Sequence, residues 1–281
     1  MTELTELRSA DRFCRYLADR HYENFSVYSH FLSEELRTHL ARIYAYCRTT
    51  DDLGDESGEA GLARLAVWRM EVEALFSGSR PIHPVLIALD ETIRQFEMPA
   101  QPFLSLISAN EQDQSVKSYV NWEALHAYCC LSAAPVGRMV LRVFGMTGRR
   151  EEMLSDDVCI GLQLVNFAQD VARDRAKGRT YLIQAEIDAT DPGKAVKRMC
   201  DRAATLLEAG RDLEPMAPGR LSIQLALYRL GGLAVIDAVR AAGYRTDLTR
   251  PHLGAATKAA LLLKAATETT RRNGHARHRL A

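Results

Sequence analysis

Two pairs of aspartates stand out by their spacing. In YAYCRTTDDLGDE (residues 44–56) Asp51 and Asp55 lie four positions apart, and in LQLVNFAQDVARDRAKGRTYL (162–182) Asp170 and Asp174 repeat that separation. On an α-helix, residues four apart project from nearly the same face, about one turn along the axis. Each pair would therefore offer two short, hard carboxylates to one point. Such oxygens suit Mg2+, which takes one or two protein carboxylates and completes its shell with phosphate oxygens and water. Like charges held this close repel, so stability alone gives no reason to keep them bare.

A plainer reading exists for each pair. Asp51 and Asp52 could close one helix, with Asp55 and Glu56 opening the next, where acids favour the helix dipole. Asp170 and Asp174 could be surface residues pairing with Arg173, Arg175 and Lys177. A single pair would favour that view. Two pairs, each after an apolar run and each followed by a different loop, favour a metal. Basic residues accompany both: Arg48 is one turn before Asp52, and Lys177-Gly178-Arg179 follows the second pair. The latter reads as a helix end with Gly at C′ and cations on the dipole, and equally as a diphosphate clamp. Gln163 and Asn166 precede Asp170 by seven and four residues, on its face, among Leu162, Leu164, Val165 and Phe167. Amides on an apolar helix usually belong to a buried polar network, which here would contain the carboxylates. Two acidic faces opposed across a helical bundle would hold a Mg2+–diphosphate cluster, with a hydrocarbon tail among the apolar helices behind. That arrangement suits ionisation of an allylic diphosphate, with a dry cavity protecting the carbocation.

The elements that must carry these residues read as helices. Leu36, Leu40, Ile43, Tyr44 and Cys47 recur at steps of three and four, and Leu62, Leu65, Val67, Trp68, Met70, Val72 and Leu75 continue the pattern. Further helices are expected near 83–99, 101–112, 122–131, 134–145, 150–177, 193–213, 220–243 and 253–270. Strand-like alternation is nearly absent, so the expectation is an all-α chain. The breaks SGSRP, MTGRR, DATDPG and MAPGR are turn-sized, and no linker, repeat or low-complexity tract intervenes. One domain over residues 1–281 is expected, with a basic tail from about 271.

Composition narrows the classes. Lys plus Arg equals Asp plus Glu at 36 each, so no global field recruits nucleic acid. The six cysteines show no CxxC and no finger-like spacing, which argues against zinc and for reduced thiols. No secretory leader and no run of about 18 apolar residues is evident, so no transmembrane segment is expected. The reading is a cytoplasmic protein, with peripheral contact at the inner membrane face left open for release of an apolar product.

Together HYENFSVYS (21–29), YAYCRTTDDLGDE, EQDQ (111–114), YCCLSAAPVGRMVLRVFG (128–145) and LQLVNFAQDVARDRAKGRTYL carry a specific likeness. The chain resembles the squalene/phytoene synthase family of trans-isoprenoid diphosphate synthases over about residues 21–258. Within it, the bacterial hydroxysqualene synthase branch of hopanoid pathways is the most similar. The resemblance implies a single helical bundle of isoprenoid-synthase type with a central cavity. It implies Mg2+ as cofactor, a prenyl diphosphate as substrate, and functional coupling to other squalene-pathway enzymes. It assigns Asp51, Asp55, Asp170 and Asp174 to the metal, and His21, Arg48, Gln163, Asn166, Lys177, Arg179 and Arg250 to the diphosphate. Tyr44 and Tyr181 would line the reaction cavity. The branch ionises presqualene diphosphate and quenches the rearranged cation with water; other members join two prenyl diphosphates head to head. Gln169 stands where many synthases have Arg, which favours a substrate with one diphosphate. Cys130 and Ala134 also depart from family habit.

Rival readings are weaker. Glu123 and His126 form a single Glu-x-x-His, whereas helical di-iron sites use that motif twice with two further Glu. No Gly-rich nucleotide loop follows a strand, so a tightly held nicotinamide is unsupported. A non-catalytic scaffold of the same fold should have lost metal carboxylates, and both pairs remain.

Overall fold

The computed structural model describes residues 3–20, 32–55, 59–188, 190–191 and 193–278, with the side chains of 55, 59 and 270–278 left aside. The regular elements among the described residues are all helices, with no strand and two isolated bridges, Ser118 with Thr180 and Asp188 with Asp191. The chain packs as two compact units, each assembled from separate segments: Met1–Val116 with Pro135–Thr147, and Lys117–Ala134 with Gly148–Ala281.

The first unit holds α1 (Glu3–Arg20), α2 (Glu34–Asp55), α3 (Glu59–Phe76), α4 (Pro84–Gln95), α5 (Gln101–Ser115) and most of α7 (Ala134–Val143). Helix α2 packs against α1, α3, α4 and α5. Its core face is Ile43, Tyr46 and Thr50, while Leu36, Leu40 and Cys47 are only partly buried. On α3, Leu65, Trp68, Val72 and Leu75 enter the core at helical spacing, and Leu62, Val67 and Met70 face solvent. The expected apolar run was thus wider than the buried stripe, because a helix surrounded on one side buries only about a third of its turn. Polar groups inside this core are matched: the Tyr46 hydroxyl donates to Phe103 O at 2.9 Å, and Trp68 Nε1 to Thr50 Oγ1 at 3.0 Å. Arg42 is buried and chelates Asp11 at 2.7 and 3.0 Å, which ties α2 to α1.

The second unit holds α6 (Trp122–Ser132), α8 (Arg149–Gln169), α9 (Val171–Ala176), α10 (Gly193–Ala209), α11 (Gly219–Ala241) and α12 (Ala255–His278). Helix α8 packs against α6, α10 and α11. Arg229 on α11 is 3% exposed and pairs with Glu214 at 2.6 Å, Glu268 of α12 at 2.9 Å and Glu208 of α10 at 3.4 Å. One expectation is corrected here. The helix foreseen over 150–177 breaks at Asp170, whose φ of −102° and ψ of 19° leave the α basin between α8 and α9.

The stretches Trp122–Val143 and Gly219–Ala241 are long and apolar enough, by composition, to cross a membrane, though 50% and 44% of their apolar windows are buried inside the protein.

Candidate functional site

Helix α2 runs unbroken through Asp55, so Asp51 and Asp55 belong to one helix rather than to the end of one and the start of another. Tyr44, Arg48, Asp51 and Asp55 fall at i, i+4, i+7 and i+11, which places them along one face. Asp51 is exposed, and its Oδ1 accepts from Asn110 Nδ2 of α5 at 3.2 Å. Arg48 donates to Asp52 at 2.5 Å, an i,i+4 pair. Its Nε–H, by contrast, is buried with no hydrogen-bond partner among the described residues. A buried donor left open is costly unless something outside the chain accepts from it, and a phosphate oxygen would. Burial raises the Tyr44 hydroxyl pKa, Arg48 lowers it and Asp51 raises it, so the ring stays protonated. The side chain of Asp55, and His21 altogether, lie outside the described residues.

Sequence reasoning missed what holds the end of α2. Gln114 Nε2 donates to Gly54 O at 2.6 Å, one turn along α5 from the Asn110 contact. A Cβ on Gly54 would lie 2.3 Å from Asn110 Oδ1, so a larger residue here would displace the Asn110 side chain. The signal was a glycine inside a helix between two acids, where it weakens the helix unless an approach requires it.

In the second unit the hydrogen-bond ladder survives the break. Asp170 N donates to Asn166 O at 2.8 Å, and Asp174 N to Asp170 O at 2.9 Å, so the two carboxylates remain a turn apart. Asn166 is exposed and Gln163 half-buried on the preceding turns. Arg250, 80 residues downstream, makes a two-pronged ion pair with Asp170, its second contact at 3.2 Å, and Arg173 stands 3.6 Å away. Asp174 has a different fate. Burial and the neighbouring Asp170 charge push it up to about 6, and Lys177, Arg173 and Arg179 only partly offset this. Gly178, at φ +72°, reverses the chain so that Arg179 N donates to Asp174 O at 2.9 Å. The Lys177-Gly178-Arg179 turn therefore caps α9 while placing both cations within electrostatic reach of Asp174.

Tyr181 is buried and stacks on Phe167 with centroids 3.8 Å apart at 6°. Tyr128 and Tyr119 complete the group at 5.7 and 6.0 Å from Tyr181. The sequence had singled out Tyr181 alone. Aromatic faces carry negative quadrupole density and attract cations, so this cluster can support a positively charged hydrocarbon.

The donor chemistry fits Mg2+. Among the described residues no group of three or more His, Cys, Asp or Glu side chains gathers into a self-sufficient cage. Asp170 and Asp174 instead offer two carboxylates, the kind of incomplete set that Mg2+ completes with substrate phosphate and water. The ionised Asp174, beside Asp170, gains from any added cation.

Comparison with known proteins follows the same line. The sequence profile described as squalene/phytoene synthase matches residues 18–257. The crystal structure of squalene synthase HpnC from Alicyclobacillus acidocaldarius is similar at 42% identity and a TM-score of 0.80, covering 85% of this chain and 96% of that one. Presqualene diphosphate synthase of Rhodopseudomonas palustris is 28% identical over 86% of this chain and 92% of its own length. Phytoene synthase 1 of Zea mays is 28% identical over 90% of this chain, though the match spans 67% of that protein, and with phytoene synthase 3 of the same plant the span is 44%. Helical architecture, profile and solved structure agree: this chain has the all-α isoprenoid-synthase fold and belongs to the squalene/phytoene synthase family of prenyl-transferring enzymes.

Proposed function

We propose that this chain ionises presqualene diphosphate with the help of Mg2+ and lets water capture the rearranged cation, yielding hydroxysqualene and diphosphate. The observation that carries the reading is the second acidic pair: two carboxylates one turn apart, one of them pushed up to about 6, beside Lys177, Arg179 and Arg250. The 42% identity to a protein described as squalene synthase HpnC supports it.

In this reading Asp51, Asp55, Asp170 and Asp174 hold the metal. Bound Mg2+ supplies charge neutralisation of the departing diphosphate. Arg48, Lys177, Arg179 and Arg250 bind diphosphate oxygens, with His21, Gln163 and Asn166 orienting the same group. Tyr44 and Tyr181, the latter with Phe167, Tyr128 and Tyr119, turn aromatic faces to the cationic chain. The balance is one C–O bond broken to diphosphate, one C–O bond made to water, and one proton released. Release of so apolar a product suits contact with a membrane surface and hand-over to a further squalene-pathway enzyme.

A second reading, head-to-head condensation of two farnesyl diphosphates, is favoured by the similarity to a protein described as presqualene diphosphate synthase. Product analysis with Mg2+ and no nicotinamide separates the two. Hydroxysqualene from presqualene diphosphate, absent with Asp170→Ala, is the expected result. Consumption of farnesyl diphosphate instead assigns the condensing reaction, and turnover of neither substrate sinks both.

A further inference from the structure

Gln169 is 8% exposed, and both ends of its amide are committed to one loop. Its Oε1 accepts from Arg250 Nη2 at 3.3 Å, and its Nε2 donates to Pro251 O at 2.5 Å. These partners fix the amide orientation, since a carbonyl demands a donor and a guanidinium demands an acceptor. Neither Glu nor Arg at this position could satisfy both. Glu has no hydrogen for Pro251 O, and Arg would set one guanidinium against another. The remaining nitrogens of Arg250 are engaged by Asp170 and by His252 Nδ1 at 3.1 Å. The segment between α11 and α12 thus delivers a cation to the second acidic pair, and the residue next to Asp170 on α8 grips the chain that delivers it.

We propose that Gln169 is a positioning residue that holds Arg250 at Asp170 for the diphosphate. The proposal rests on the functional reading above. From sequence, Gln169 was notable for standing where many synthases have Arg. Here the guanidinium beside Asp170 comes from residue 250 instead of 169. A metal-bound diphosphate would bring its own negative charge to Arg250, so the guanidinium would keep a partner if Asp170 held Mg2+.

Titration calorimetry of inorganic pyrophosphate in the presence of Mg2+ tests this without knowledge of the substrate. Gln169→Met is expected to weaken pyrophosphate binding about tenfold, as loss of a charge-assisted contact does. In an Arg250→Ala background the same change should have no further effect. Equal weakening in both backgrounds would mean that Gln169 serves only structure, and the positioning role would fall while the functional reading stands. Should the wild-type chain take up no pyrophosphate with Mg2+, the functional reading falls and takes this proposal with it. If the methionine variant does not fold, Gln169→Asn carries the same cycle: it adds no charge and withdraws the amide from Arg250 and Pro251 by one methylene.

Discussion

Asp174 illustrates how a residue suited to a charged ligand strains the protein without it. Its carboxylate, normally near 3.8, is raised to about 6 by burial and by Asp170. Above pH 6 the folded chain carries the ionised form at a cost that the unfolded chain lacks. As the pH falls from 7 to 5 the folded state takes up this proton first, so the contribution to stability rises, levelling off near 3.8 where the unfolded chain is protonated too. Asp174→Asn should therefore stabilise the metal-free protein at pH 7 by on the order of 1–2 kcal/mol, allowing for partial exposure. Thermal melts at pH 7 and 5 check this: the gain of the variant should shrink at the lower pH. The same variant should lose most Mg2+-dependent turnover, roughly a hundredfold or more, since it removes a proposed metal ligand. A variant that melts lower at pH 7 would contradict the electrostatic account.

At the scale of elements, two helix contacts carry separable predictions. Gly54 allows α5 to bring Asn110 onto Asp51 and Gln114 onto the last turn of α2. Gly54→Ala should favour the isolated helix yet push Asn110 off the aspartate, so activity should fall about tenfold or more while stability changes by no more than about 1 kcal/mol. A steady-state assay beside a melting curve separates these effects; unchanged activity would dismiss the α5 support. Arg229 is a structural counterpart, with three carboxylates from different elements around one buried guanidinium. Arg229→Met removes the guanidinium that faces three carboxylates, one of them the buried Glu214, and should cost about 3–5 kcal/mol, read by denaturant unfolding. Restoring neutrality with Glu214→Gln in the same chain should recover part of that loss.

For the whole molecule, the expected signature is ligand-linked stability. Mg2+ alone should shift the melting temperature little, because the carboxylate pairs supply only part of a coordination shell. Mg2+ with pyrophosphate should raise it by several degrees once the ligand exceeds its Kd a hundredfold, equivalent to about 2.7 kcal/mol. A shift as large with Mg2+ alone would point to a metal site complete within the protein. The two compact units are each discontinuous in sequence, which follows from residues 117–134 and 135–147 passing to different units.

The sequence by itself determined what is local. Periodicity of three and four identified the helices, and the i,i+4 spacing identified both aspartate pairs, because both properties depend on the rise of a single helix. The Lys177-Gly178-Arg179 cap was legible for the same reason, glycine being the residue that tolerates φ +72°. Tertiary structure decided the rest. Asn110 reaches Asp51 across 59 residues and Arg250 reaches Asp170 across 80, contacts set by how helices and loops pack rather than by any local pattern. The grouping of Tyr181 with Tyr128 and Tyr119 and the burial that raises the pKa of Asp174 likewise arise from packing rather than from a local pattern. Spacing along one helix determines which carboxylates stand together; only packing determines which cations, amides and rings are brought to meet them.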